Sequence, residues 1–365
     1  MTCFKPITVW KQTHARLDIP AKDYYELKKV SFHEVPGREK IEIPCGHCLG
    51  CRLDHANMWA TRITLEAKNW KKCCFITLTY NNPNLPINKH GLPTLIKKDL
   101  QDFMKRLRYY EKGTEEWTNP TTGKKEHPIR FFACGEYGPK GGRPHYHLAI
   151  FNWEPDDLKL YKLNKHGDPI FTSKKLYKIW GKGFCPVEEL NFNTASYIAR
   201  YVQKKAGIAP QKREYTKELT SEWKIDERNG KPWLHWKNTV KKQEKLQEPE
   251  FINMSRAVGI GKLYWIENKE KIKKNKGILL KVKDKVKLKP IPRYFQKLWE
   301  NENWEEYARF KYENTKEGQK IKIKIISKIS LPDGTPEELK WEFYLNQQHQ
   351  ILKDKAKYLT RNNFI

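Results

Sequence analysis

Residues 129–151 read IRFFACGEYGPKGGRPHYHLAIF, two runs of aromatic and β-branched residues on either side of a loop rich in Gly and Pro. Such runs favour strands and such punctuation favours a reversal. The stretch therefore predicts an antiparallel hairpin with strands at 129–137 and 145–151. Side chains alternate faces along a strand, so His145 and His147 project from one side and Tyr146 from the other. Two imidazoles on one face can share one ion. Cross-strand pairing places Glu136, near the end of the first strand, beside them. A His, His, Glu set with open coordination positions suits a divalent cation that also holds a phosphate oxygen. Read alone, a His-x-His on an edge strand is more often an ordinary surface pair.

Upstream of the hairpin, CCFITLTY (73–80) closed by NNPNLP is a strand, in which Thr77 and Thr79 read as structural. KKDLQDFMKRLRYY (97–110) sets Leu100, Phe103, Met104 and Leu107 at i, i+3, i+4 and i+7, an amphipathic helix. Downstream come a short helix in KKLYKIW, a strand-like GFCPVEEL and a helix in TASYIARYVQKKAG, which Gly207 and Pro210 end. This order predicts an α+β fold, an antiparallel sheet of ferredoxin/RRM-like topology with helices packed on one face. In the last helix Tyr197, Tyr201 and Lys204 share a narrow arc. A phenol of pKa ~10 is a poor nucleophile at neutral pH unless its proton is removed or a cation stabilises the phenolate. Lys204 or Lys205 could do so, or could hold a phosphate. In isolation a Tyr pair at this spacing usually serves packing.

The chain of 365 residues carries 71 Lys and Arg against 43 Asp and Glu, a formal net charge of +28, which points to a polyanionic partner. Aromatic residues at 13%, with 13 Trp among them, exclude a disordered basic tail. No apolar run approaches the ~18 residues that cross a bilayer, and the opening MTCFKPITVWKQTHARL lacks the apolar segment of a secretory signal. The expectation is a cytosolic protein with no membrane partner.

Composition divides the chain into a Cys-rich segment and helix (1–70), the central α+β domain (71–210), a charged insertion or linker (211–250) and a basic C-terminal extension (251–365). In the extension, GILLKVKDKVKLKP predicts a solvent-facing hairpin with a cationic side, able to add salt-dependent affinity for phosphates. SRAVGIG (255–261) has a Gly-x-Gly but no Lys-Ser/Thr after it, so no nucleotide-binding loop is expected and helicase activity must come from a partner. Cys45, Cys48 and Cys51 form C-x2-C-x2-C. A tetrahedral zinc site would need a fourth ligand such as Cys3, His47 or His55; buried thiols fit the pattern equally well. An iron–sulfur cluster matches by ligand type, without a redox partner motif beside it. Cys73, Cys74, Cys134 and Cys185 lie in apolar patterns and read as core.

RPHYHLAIF resembles the His-hydrophobic-His motif of HUH endonucleases, and YIARYVQKK resembles their tyrosine motif in its two-tyrosine form. The wider context, PCGHCLGCR, CFITLTYNNPNLP, FACGEYGPKGGRPHYH and MSRAVGIG, is similar to replication initiators of microviruses, above all the gokushovirus branch of these small single-stranded DNA phages. The likeness spans about 45–265 and IPRYF at 291–295; Tyr146 is more polar than the usual middle residue of the motif. The resemblance implies an HUH endonuclease fold and rolling-circle replication in the host bacterial cytoplasm. A tyrosine attacks origin single-stranded DNA, leaving a covalent 5′-phosphotyrosine and a free 3′-hydroxyl that primes host DNA polymerase, with a host helicase as further partner. It makes His145, His147 and Glu136 the ligands of Mg²⁺ or Mn²⁺ and Tyr197 and Tyr201 alternating nucleophiles, assisted by Lys204, with Arg143, Arg200 and Lys205 as DNA contacts. Two other readings remain: a plasmid initiator or relaxase with the same chemistry, and a non-catalytic single-stranded DNA-binding or packaging protein, for which the charge alone would suffice.

Overall fold

The computed structural model describes residues 3–11, 31–34, 38–119, 122–138, 142–203, 217–225, 232–240, 247–282 and 285–358. Strands β1 (Ile7–Lys11) and β2 (Glu39–Ile43) pair as a hairpin and lead into helix α1 (Leu49–Ala67). Then follow β3 (Cys73–Thr79), α2 (Lys97–Tyr110), the short pair β4 (Trp117–Thr118) and β5 (Lys125–Glu126), β6 (Arg130–Tyr137) and β7 (Pro144–Phe151). Next are β8 (Lys159–Leu163), β9 (Pro169–Thr172), α3 (Lys174–Trp180), β10 (Val187–Glu189) and α4 (Phe192–Gln203). The charged stretch 211–250 contains a second hairpin, β11 (Lys217–Ile225) with β12 (Pro232–Val240). The remainder comprises β13 (Phe251–Met254), α5 (Lys262–Lys274), the hairpin β14 (Ile278–Val282) and β15 (Lys285–Lys289), α6 (Arg293–Glu302), α7 (Trp304–Ile326) and α8 (Glu337–Tyr358).

A seven-stranded sheet organises the molecule, in the order β13-β6-β7-β3-β10-β9-β8 with every neighbouring pair antiparallel. Its central strands are apolar at nearly every position, and β6 and β7 are buried almost throughout. A strand apolar on both sides needs cover on both sides. Helices accordingly pack on both faces, correcting the one-sided arrangement that strand order alone suggested. On one face Ile76, Leu78, Tyr146, Leu148 and Ile150 meet α2 and α3. On the other Phe75, Phe132, Ala149 and Phe151 meet Ile63 of α1 and Ala195 and Ile198 of α4. The His145–His147 edge of β7 belongs to this second face.

Helix α2 buries Leu100, Phe103, Met104 and Leu107, the four residues of its apolar stripe. At ~1.5–3 kcal/mol per buried side chain, that stripe alone outweighs its weak N-cap, where Ile96 offers no side-chain bond. Helix α3 is held differently: Ser173 accepts the Leu176 N–H, and Gly181 ends the helix at φ 68°, a left-handed cap that suits glycine. Arg106 of α2 then donates to the carbonyls of Ile179 (2.8 Å) and Trp180 (3.2 Å), fastening the two helices together.

Segment 255–261 is fastened by charge. The buried pair Arg130 and Glu66, 2.6 Å apart, sends Arg130 donors to the carbonyls of Ala257 and Val258, while Glu66 accepts the Gly261 N–H at 2.6 Å. The Gly-x-Gly thus serves as an anchor between β6, α1 and α5. The C-terminal helices build a third core around Trp265, Phe295 and Trp299, which reaches Leu65 of α1. Among the described residues, no helix is long and apolar enough to cross a membrane.

Candidate functional site

The register of the central strands places the site. Glu136 pairs with His145 across β6 and β7, while Thr79 and Thr77 face His145 and His147 from β3. All of these lie on the sheet face that carries α4. Glu136 and His147 are buried and His145 is half-buried. His145 Nε2 stands 2.7 Å and His147 Nε2 3.5 Å from Glu136 Oε1, and the two imidazoles meet edge to face with centroids 4.9 Å apart.

Hydrogen bonding constrains the protons. His145 Nδ1 lies 3.1 Å from the Arg143 carbonyl, which can only accept, so Nδ1 carries a hydrogen. Its Nε2 then faces a carboxylate oxygen, an arrangement that requires a proton or a metal cation between them. His147 Nδ1 is 2.9 Å from Thr77 Oγ1, which turns Nε2 toward Glu136. Burial favours the neutral form of His147 and outweighs the attraction of Glu136. Burial also pushes the Glu136 carboxyl upward, but hydrogen bonds from His145 and His147 prevail and hold it well below the usual carboxylate range. A neutral imidazole and an ionised carboxylate are the states that bind metals.

These residues fit a divalent cation. Their ligand atoms all lie within 4.8 Å of one another, and Glu136 Oε2 is buried with no hydrogen-bond partner among the described residues. An orphaned carboxylate oxygen inside a protein is costly, and a cation relieves it.

Tyr197 comes from α4 onto this cluster. Its ring is half-buried and meets His147 edge to face at 4.8 Å between centroids, with Phe75 on the adjoining side at 6.3 Å. The Arg200 guanidinium lies 5.3 Å over the same ring. Tyr201 follows one turn later in α4, where only its backbone is described, and Lys204 and Lys205 lie outside the described residues. Arg143 donates to the Tyr80 carbonyl (3.0 Å) and to Asn82 Oδ1 (2.9 Å), bracing the loop after β3.

Two features of the site escaped the sequence reading. Thr77 touches a candidate ligand, a role readable only once β3 is known to neighbour β7. Tyr146 explains its own polarity on the opposite face: its hydroxyl donates to the Ile96 carbonyl (2.8 Å) and lies 2.8 Å from the Tyr80 hydroxyl, which donates to Asp99. Burial pushes the Tyr146 phenol up to about 12, so it acts as a fastener at the start of α2.

A second group that could hold a metal lies apart from the first: Cys3, Cys45, Cys48 and Cys51 come together, with Cys3 rather than His47 or His55 completing the set. Burial raises the Cys48 thiol, but backbone N–H donors from Cys51 and Phe4 prevail and bring it down to about 7.

A family of phage replication proteins, described as Replication-associated protein ORF2, matches residues 73–206, the stretch holding β3 through α4. The replication-associated protein ORF2 of Spiroplasma virus 4 is 32% identical over 326 residues, covering 87% of this chain and 85% of the relative. The replication-associated protein VP4 of Bdellovibrio phage phiMH2K is 31% identical over 205 residues, 56% of this chain and 58% of that protein. ORF4, the replication-associated protein of Chlamydia phage 1, is 32% identical over 186 residues, 50% of this chain and 41% of its own length. No solved structure matches. With identity of this level running through most of both chains, the protein belongs to the family of phage replication-associated proteins.

Proposed function

We propose that this chain initiates phage DNA replication as a metal-dependent, site-specific single-strand nickase and strand transferase of the two-tyrosine HUH type, from a gokushovirus-like microvirus. The observation that carries the reading is the approach of Tyr197 on α4 to the Glu136, His145, His147 cluster, with the tyrosine ring against His147. The topology supports it. The run β3-α2-β6-β7-α3-β10 with sheet order β6-β7-β3-β10 is the split βαβ arrangement expected of a ferredoxin-like endonuclease domain within 71–210.

In this reading His145, His147 and Glu136 hold Mg²⁺ or Mn²⁺, which supplies Lewis acidity and a template for the scissile phosphate. Tyr197 attacks phosphorus through its phenol oxygen, the bond from phosphorus to the 3′-oxygen breaks, and that oxygen leaves with a proton as a free 3′-hydroxyl. The 5′-phosphate stays on the tyrosine. Tyr201, one turn along, provides a second acceptor, so that one phenol can cleave while the other still holds the earlier strand. Lys204 is assigned to the phosphate or the phenolate; Lys205, Arg143 and Arg200 are assigned to flanking DNA, Arg143 while bracing its loop. The hydroxyl primes host polymerase behind a host helicase, in the bacterial cytoplasm.

The test is covalent. With Mn²⁺ and a single-stranded oligonucleotide carrying the origin, the protein should form a denaturant-resistant adduct, abolished by chelation and by Tyr197→Phe combined with Tyr201→Phe. Filter retention of the oligonucleotide without an adduct would leave only a binding or packaging protein.

A further inference from the structure

We propose that Cys3, Cys45, Cys48 and Cys51 bind one zinc ion, a structural clip that fixes the N-terminal end of α1 and, through it, the helical layer that carries Tyr197. This metal is separate from any cation at His145 and His147.

The sulfur spacing carries the assignment. Cys45 and Cys51 sulfurs are 4.0 Å apart and those of Cys3 and Cys48 are 3.9 Å apart, and all four lie within 4.8 Å of one another. Four thiolates held about 2.3 Å from one tetrahedral ion stand ~3.8 Å from each other. Disulfides need sulfurs at ~2.05 Å, and all four cysteines are free. An iron–sulfur cluster would place several atoms between the thiolates and spread them further than this.

The backbone is built for the same purpose. Gly46, at φ 75°, turns the chain so that the N–H groups of His47 (3.4 Å) and Cys48 (3.3 Å) donate to the Cys45 sulfur. Cys48 is the N-cap of α1 and accepts from Cys51 N–H, and also from Phe4 N–H at 3.4 Å; Cys45 N–H donates to the Cys3 sulfur at 3.2 Å. Cys3 arrives from far along the chain because β1 pairs with β2 in a register, Ile7 opposite Ile43, that brings residues just before β1 beside those just after β2.

The consequence reaches the site through packing. Ala56 and Ala60 of α1 lie against Ala199 of α4, small side chains that let the helices approach closely. On the other side Phe4 stacks on His349 of α8, with centroids 4.8 Å apart. One ion therefore ties the N-terminus, α1 and α8 into one unit beside the tyrosine helix.

Elemental analysis of the full-length protein, purified reduced from zinc-replete cells, should find one zinc retained by His147→Ala and lost by Cys45→Ser combined with Cys51→Ser. Because that double variant could fail to fold, the unmutated protein grown in cobalt should show sulfur-to-cobalt charge transfer and the strong visible bands of a tetrahedral thiolate site. Releasing the zinc with a mercurial should lower Tm by several degrees. The proposal is overturned by protein without zinc, by zinc that survives the double substitution, by a cobalt spectrum lacking thiolate bands, or by iron with acid-labile sulfide in its place.

Discussion

Thr77 offers the sharpest test at the scale of one residue. Its hydroxyl is the group that orients His147 Nδ1, and outer partners of a ligating imidazole fix both its tautomer and its direction. Thr77→Val should raise the Mn²⁺ concentration needed for half-maximal cleavage by about 10–100-fold, Thr77→Ser should restore it, and affinity for single-stranded DNA should not move. Equal Mn²⁺ requirements in all three proteins would remove Thr77 from the site. Tyr146 gives the complementary case. Its hydroxyl also accepts the Ile96 N–H at 3.1 Å, so Tyr146→Phe leaves buried groups at the start of α2 unsatisfied. A loss of about 1–3 kcal/mol in denaturant unfolding is expected, with the adduct still formed by the folded protein. That pair of results would separate the middle residue of the His-x-His from its flanks: one holds the fold, the others the chemistry.

Among elements, the legible ones were those whose pattern is local. Strands β6 and β7 and helix α2 announce themselves through composition and period, and the alternation along β7 correctly puts His145 and His147 on one face with Tyr146 on the other. What remained hidden depends on partners distant in sequence. The neighbour relation of β3 and β7, the recruitment of β13 to the sheet edge from beyond the charged stretch, and the second helical layer are settled by tertiary burial, for which one chain offers no period. Segment 255–261 shows the same limit: its Gly-x-Gly could be denied a phosphate, yet its anchor, Glu66 with Arg130, lies on other elements. Glu66→Ala would leave Arg130 charged and buried and the Gly261 N–H without its acceptor. A destabilisation of about 3–5 kcal/mol is expected in denaturant unfolding, since a buried ion pair loses most when only one partner goes. A change below ~1 kcal/mol would show that the segment is held by its apolar contacts instead.

For the whole molecule, the net charge of +28 and the metal cluster make separable contributions. Charge is spread over many exposed lysines, including Lys285 and Lys287 on the outer strand of the β14–β15 hairpin, whereas the candidate ligands occupy one buried corner of the sheet. Binding through many phosphate contacts releases counterions, so the logarithm of affinity falls linearly with the logarithm of salt, at a slope of about −0.7 per contact on single strands. His147→Ala touches none of those contacts. Fluorescence anisotropy with a single-stranded oligonucleotide, across a series of salt concentrations, should therefore give the variant the same slope and nearly the same affinity as the unmutated protein, while the covalent adduct disappears. Neutralising lysines of the hairpin should do the reverse, flattening the slope while a folded site still forms adduct at low salt. If His147→Ala weakened binding as much as it weakened cleavage, affinity would reside in the cluster itself, and the division between a basic surface that gathers DNA and a buried corner that acts on it would fail.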